Sequence, residues 1–227
     1  MSHPRARRRW LWQAGAVALA GALTLALTQN TTTAAFTAQT VDTGNQVTAK
    51  TDFCSDPGRL DTLTTSTVDT GVAEGNPTTN YSANPSIGVA QTWSSTGRAR
   101  TLIKFALPPK PSGCVVASAA MKLHVSSSQQ PANVTVFRAA ATWNPATVIW
   151  TSDPGVVAGS GTTTAATALG TTTQWNVATQ VTALYAGPDY GFELRDAGET
   201  SGSLTQLYDS MDSTTAAYRP QLVITWG

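Results

Sequence analysis

Apolar and polar side chains alternate through most of residues 60–227, in short runs that turn-forming residues separate. Within residues 100–107, Ile103 and Phe105 share one face of an extended chain, and Lys104 lies on the other. A period of two residues is that of a β-strand with one buried face. Repeated short strands without a long helical pattern predict an all-β protein, built as an antiparallel β-sandwich or jelly roll.

One segment departs from the period of two. Val177, Val181 and Leu184 repeat at helical spacing, which predicts one short helix near residues 178–185. The strands on both sides of it are predicted to form a single β-sandwich domain over residues 60–227, a length sufficient for a full hydrophobic core.

Residues 1–35 have the layout of a secretory signal peptide. Arginines at positions 5 and 7–9 precede an apolar stretch from Trp10 to Leu27, and small residues lead to a predicted cleavage site before Phe36. The alternative is an uncleaved membrane anchor, because the apolar stretch approaches spanning length. Either way the remaining chain is predicted to be extracellular or on the cell surface. Residues 36–59 are predicted to be a linker or one appended strand.

Charge and cysteine content limit the classes of partner. Without the leader, ten basic residues face thirteen acidic ones, a net charge of −3, which excludes the basic footprint of a nucleic-acid-binding protein. In an exported chain, Cys54 and Cys114 are predicted to form a disulfide. Two thiols without a nearby histidine cannot complete a zinc site. After signal cleavage no stable membrane span is expected.

Several motifs in order resemble one known family. They lie at residues 100–108, 116–123, 143–150, 175–181, 190–195 and 219–224. Over residues 61–227 the chain resembles the DNRLRE domain, also classed as carbohydrate-binding module family 96, and residues 34–45 resemble the start of exported camelysin-type proteins. The resemblance implies a secreted β-sandwich that accompanies polysaccharide-active or cell-surface proteins. Near its end the family commonly has an aromatic residue followed by Ser-Arg-Glu. In this chain Tyr208 is followed by Asp-Ser-Met-Asp, which contains no basic residue, so no ligand contact or ion pair through that arginine is carried over.

No catalytic set stands out. His124 is the only histidine after the leader, and its strand position predicts a surface side chain. Without a second candidate base, His124 gives no case for a Ser-His-Asp triad. Glycoside hydrolysis normally needs two carboxylates on either side of the sugar bond, and the spacing of Asp and Glu along the chain does not single out such a pair. We therefore predict no catalytic residues. A polysaccharide-active enzyme stays the second alternative.

Basic residues at outward strand positions are the first candidates for ligand binding. If one sheet gathered them, they would attract a carboxylated or sulfated polysaccharide. The alternative is ordinary solvated side chains, some paired with Glu193. These predicted strip residues are Arg100, Lys104, Lys122 and Arg195.

Aromatic residues among polar neighbours are the second candidates, namely Tyr81, Trp93 and Tyr208. The rings of Trp143, Trp150 and Trp175 flank apolar segments and are predicted to lie in the core, with their N–H groups paired.

No cofactor is expected. A structural calcium ion would take oxygen ligands, for which Asp69, Asn80 and Asp209 are candidates, although no dense acidic loop is present. The sequence thus favours a secreted or cell-surface, non-catalytic module that binds an extracellular polysaccharide or cell-surface glycan. The first alternative is a structural or adhesion module.

Overall fold

Antiparallel strands dominate the computed structural model, which describes Cys54 and residues 60–63, 67–90, 97–128, 133–165, 167–199 and 205–227. These residues belong to one compact unit within Lys50–Gly227. The predicted leader, the camelysin-like stretch and most of the predicted linker lie outside the described residues, so those assignments stay predictions. No helix in the described part of the chain is both long and apolar enough to span a membrane.

Eleven strands and one α-helix form the regular structure of the described residues. In chain order they are β1 Leu60–Leu63, β2 Thr67–Ala73, β3 Ser86–Ala90, β4 Ala99–Phe105, β5 Val116–Ser128, β6 Asn133–Arg138, β7 Thr162–Ala165, β8 Thr172–Asn176, α1 Ala178–Ala186, β9 Phe192–Asp196, β10 Thr205–Asp209 and β11 Gln221–Trp226. Short 3-10 helices occur at Trp150–Ser152 and Ala216–Tyr218.

The strands follow the order β1-β11-β5-β10-β3-β4-β9-β6-β7, with β2 paired to β4 and β8 paired to β5. β5 is 13 residues long and takes part in both layers, because its first part pairs with β11 and β8 and its end pairs with β10. The predicted all-β antiparallel sandwich or jelly roll is confirmed, together with one short helix at Ala178–Ala186.

The main core lies between the layers and is built from the inward residues of alternating strands. Trp175 on β8 is fully buried, and its Nε1–H donates to the carbonyl oxygen of Val134 on β6 at 2.9 Å. That bond joins the β8 side of the core to the β6 side. The predicted core position of Trp175 is therefore confirmed, with its N–H paired as expected for a buried indole.

A second apolar cluster lies on the other face of β4. Leu102 belongs to it and Ile103 belongs to the main core, because adjacent strand residues point to opposite faces. Trp143 and Trp150 are only half-buried and pack on this second cluster. The segment between β6 and β7 thus covers a face that the alternation alone predicted to be solvated.

The predicted disulfide is present. Cys54 and Cys114 are bonded, with their Cα atoms 5.3 Å apart. The bond closes a loop over a sequence separation of 60 residues, for which the chain-entropy account gives a stabilisation of about 4 kcal/mol.

Candidate functional site

The predicted basic strip does not form, and the first reason is Arg100. On β4 its guanidinium pairs with Asp153 and with Glu199, whose Oε1 accepts from Nε at 2.8 Å. The side chain is only 11% exposed. Arg100 is thus held within the protein by two carboxylates, and the prediction that it faces a ligand is wrong.

Arg195 is occupied in the same way. Its Nε–H donates to Oε1 of Glu193 at 2.6 Å, two residues earlier on β9. Burial raises the pKa of Glu193 to about 7, and nearby Asp153 raises it further, although the hydrogen bond from Arg195 opposes the shift. The alternative interpretation, in which Glu193 and Arg195 bond each other, is the one that the structure supports.

The two lysines of the predicted strip lie on different strands that do not pair. Lys104 is half-buried on β4, whereas Lys122 on β5 is in register with Gln221 of β11 and Gln174 of β8. Since β4 pairs with β2, β3 and β9 instead, the four basic residues share no single sheet face. Of the predicted strip, Lys122 lines a sizeable cleft.

The three aromatic candidates have separate outcomes. Tyr208 is fully buried and meets Trp175 edge to face at 5.8 Å, so the prediction that it contacts a ligand is wrong. Burial also raises its pKa. Tyr81 is half-buried and lines a cavity of only about 30 Å³. Trp93 lies outside the described residues, and its predicted role stays a prediction.

The half-buried indole of Trp150 is covered by cations. The guanidinium carbons of Arg98 and Arg100 lie 5.3 Å and 4.7 Å from its ring centroid. Arg98 in turn pairs with Glu74 at 2.9 Å. Trp150 therefore packs within an ion-pair network and is not a free stacking surface.

A polar cleft of about 330 Å³ surrounds Lys122. The alternation of β5 explains its position, because Met121 and Leu123 enter the core and Lys122 and His124 face outward. The strands on either side add amide and hydroxyl groups. The lining residues are Lys122, His124, Thr172, Gln174, Ala217, Tyr218, Arg219 and Gln221.

Tyr218 is the exposed aromatic surface of this cleft. Its ring stacks on the imidazole of His124, with the centroids 3.7 Å apart and the planes at 4°. His124 Nδ1 donates to Oδ2 of Asp209 at 2.7 Å, and Oδ1 of Asp209 accepts from the Ser213 hydroxyl at 3.0 Å. Tyr218 is 42% exposed, so one ring face is backed by protein while the ring remains accessible.

Two cations of the cleft are left without a carboxylate. Neither Lys122 nor Arg219 takes part in any ion pair among the residues that the structure describes, in contrast to Arg100 and Arg195. Arg219 donates through Nε to the carbonyl oxygen of Ser213 at 3.0 Å, which fixes its stem. The cleft therefore offers an aromatic face, amide groups and cationic groups that can bind a polar, anionic ligand.

This combination agrees with the comparison to known families. Residues 61–226 match the model of carbohydrate-binding module family 96. The chain belongs to this family. No curated protein matches the chain. The cleft beside Tyr218 is accordingly the candidate carbohydrate site of this family 96 module.

Sequence reasoning missed most of this site in the family 96 module. Tyr218 and Arg219 lie in and beside a short 3-10 helix that no periodic pattern marks, and Gln174 and Gln221 join the cleft only through strand register. The sequence did indicate one part of the site, because Lys122 and His124 are two residues apart on β5 and therefore point outward on the same face. His124, predicted to be an ordinary surface residue, is in fact the support of the aromatic face.

The three calcium candidates of the module do not come together. Buried Asp69 accepts from the N–H of Met211 at 2.8 Å, and the side-chain amide of Asn80 donates to the carbonyls of Pro145 and Val148. Asp209 is bound to His124. Within the described ranges there is no group of three or more His, Cys, Asp or Glu side chains suited to a metal ion. The expectations of no cofactor and of a structural calcium both stay untested predictions.

Proposed function

We propose that the protein is a secreted or cell-surface, non-catalytic module that binds an acidic extracellular polysaccharide in the cleft beside Tyr218. The observation that carries this proposal is the Tyr218 ring, supported by His124 and adjacent to the unpaired cations Lys122 and Arg219. The family supplies the ligand class, carbohydrate. The Cys54–Cys114 disulfide supports a location outside the reducing cytoplasm.

Each part of the cleft has a role in this proposal. The apolar face of a pyranose ring packs on Tyr218, whose aromatic ring combines apolar area with a polar tip. The side-chain amides of Gln174 and Gln221 donate to and accept from sugar hydroxyls. Lys122 and Arg219 pair with a carboxylate or sulfate of the sugar, and charge-assisted hydrogen bonds of this kind are stronger than neutral ones.

Salt separates this mode of binding from neutral-sugar binding. Exposed charges are screened over a Debye length of about 8 Å at physiological ionic strength. Retention on an acidic polysaccharide should therefore fall steeply as salt rises. Binding that rests only on stacking and neutral hydrogen bonds would respond little.

Affinity electrophoresis tests the proposal. The parent protein and a Lys122→Gln variant are run through gels containing an alginate-like polysaccharide or a neutral one, each at two salt concentrations. Lys104→Gln is the matched control, because it removes the same charge from a lysine outside the cleft. We expect retardation of the parent on the acidic gel, reduced retardation of Lys122→Gln, and parent-like behaviour of Lys104→Gln.

Three outcomes would count against the proposal in different ways. Equal loss in both lysine variants would show a diffuse charge effect without a site. Retardation on the neutral gel alone would remove the preference for acidic ligands. A protein that no polysaccharide gel retards, with its fold intact, would favour the structural or adhesion role.

A further inference from the structure

A second polar cleft of about 350 Å³ lies between helix α1 and the loop that leads into β7. It matches the Tyr218 cleft in size and shares no lining residue with it. One wall is the helix, another is the chain before β7, and a cation lies at the end of β6. The lining residues are Arg138, Ala158, Gly159, Ser160, Gly161, Thr162, Thr179, Gln180 and Ala183.

Gln180 makes this cleft a built feature. The side chain is only 3% exposed, and its Nε2 donates to the carbonyl oxygen of Ser160 and to Oγ1 of Thr162, both at 2.7 Å. Its Oε1 has no hydrogen-bond partner. A buried acceptor without a donor costs free energy, and Gln180 is one of the residues that line the cleft.

Glycine keeps the opposite wall thin. A Cβ on Gly161 would lie 2.6 Å from Cε1 of Phe137, so the backbone packs directly against that ring. Gly159 has φ +72°, in the left-handed region that side chains disfavour. A side chain at Gly161 would therefore clash with Phe137, and one at Gly159 would be strained.

Arg138 provides the charge. None of the ion pairs among the described residues includes it, whereas Arg98, Arg100 and Arg195 each pair with a carboxylate. Its backbone is fixed on both sides, because its N–H donates to the Ser160 hydroxyl at 3.0 Å and its carbonyl accepts from Val157 at 2.9 Å. The cleft thus combines an unpaired guanidinium with a buried, unpaired acceptor.

We propose that this second cleft is a further carbohydrate subsite, which takes a hydroxylated sugar unit bearing a carboxylate or sulfate. The proposal rests on the proposed function for the class of ligand. Its own support is that, among the described residues, Arg138 has no ion-pair partner and Gln180 Oε1 has no hydrogen-bond partner. A polysaccharide repeats the same unit along its chain. If one polymer chain spans both clefts, the second contact acts at a high effective concentration.

NMR titration of the ¹⁵N-labelled protein with an oligouronate tetrasaccharide tests the two sites separately. The side-chain amide signals of Gln180 report on the second cleft, and those of Gln174 and Gln221 report on the first. The titration is repeated on Tyr218→Ala and on Arg138→Gln. We expect the Gln180 signals to shift in the parent and in Tyr218→Ala, and to stay in place in Arg138→Gln.

The outcomes distinguish this subsite from the proposed function. Shifts confined to Gln174 and Gln221 would overturn the second subsite and leave the first. Shifts confined to Gln180 would support the second subsite and overturn the first. A titration without shifts in either cleft would overturn both.

Polymer binding gives a second measurement. If both subsites engage one chain, Arg138→Gln should lower the affinity for a long polyuronate about tenfold or more. The affinity of the Tyr218 cleft for the tetrasaccharide should hardly change. Lys104→Gln again controls for the lost charge. Equal polymer affinity of the parent and Arg138→Gln, both folded, would contradict the bivalent arrangement.

Discussion

Tyr218 and His124 stack face to face, with ring centroids 3.7 Å apart and planes at 4°. The exposed Tyr218 ring lies flat on the His124 imidazole, which is itself fixed by its hydrogen bond to Asp209. A side chain that is already ordered loses little conformational freedom when a ligand binds. The stack therefore prepares an aromatic surface beside the cations of the cleft.

Replacing Tyr218 with Ala should weaken glycan binding about fivefold or more, because an aromatic contact contributes roughly 1 kcal/mol beyond the area that it buries. Stability should change little, since the ring is 42% exposed. Affinity electrophoresis and urea unfolding measure the two effects. Tyr218→Phe keeps the ring and should retain most of the binding. Parent-like retention of the alanine variant would remove Tyr218 from the site.

Trp175→Ala should cost about 3–5 kcal/mol of unfolding free energy, through lost burial and the cavity that remains. It also leaves the carbonyl of Val134 without its indole donor. Trp143→Ala is a suitable comparison, because that ring is half-buried and should cost less. Urea unfolding gives both values. A smaller loss for Trp175 than for Trp143 would contradict its central position.

The sequence was sufficient for the class of fold, because a period of two residues identifies β-strands and their two faces. The short helix followed from local spacing, the Cys54–Cys114 bond from the predicted signal peptide, and the buried position of Trp175 from its apolar segment. Tyr208 shows where local composition misled. It lies among polar neighbours, yet it has the inward parity of β10 and meets Trp175 in the core.

The site was harder to predict because it depends on long-range contacts. The face of β4 that carries Arg100 is covered by residues about fifty positions later, including Asp153 and Trp150. Alternation identifies two faces of a strand and does not say what covers either one. Likewise, Gln174 and Gln221 come to lie beside Lys122 only through pairings that local spacing does not encode.

Arg100→Gln should destabilise the protein by about 3 kcal/mol, because it removes the cation shared by Asp153 and Glu199 while their carboxylates stay poorly solvated. Lys104→Gln, four residues further along β4 on the same face, should have a small effect. Urea unfolding compares them. Binding to an acidic polysaccharide should be unchanged in the folded fraction of either variant. Weaker binding of Arg100→Gln at parent stability would restore Arg100 as a ligand contact.

Stability should also depend on pH through Asp69. Burial raises the pKa of this carboxyl to about 7, with a further rise from nearby Asp212, although the N–H of Met211 opposes the shift. The folded protein therefore keeps a proton on Asp69 at pH values where the unfolded chain, with an ordinary pKa near 4, has lost it. Unfolding free energy should fall as pH rises from about 4 to about 7, and level off above.

Asp69→Asn separates this contribution from the others. The amide oxygen can still accept from Met211, and the side chain carries no charge at any pH. The variant should match the parent near pH 4 and exceed its stability at pH 8, by at most about 4 kcal/mol. Because burial raises the pKa of Glu193 to about 7 as well, a weaker slope of the same sign should remain in the variant. Urea unfolding at pH 4, 6 and 8 measures the slopes, and identical slopes for the two proteins would show that Asp69 is ionised in the folded state across this range.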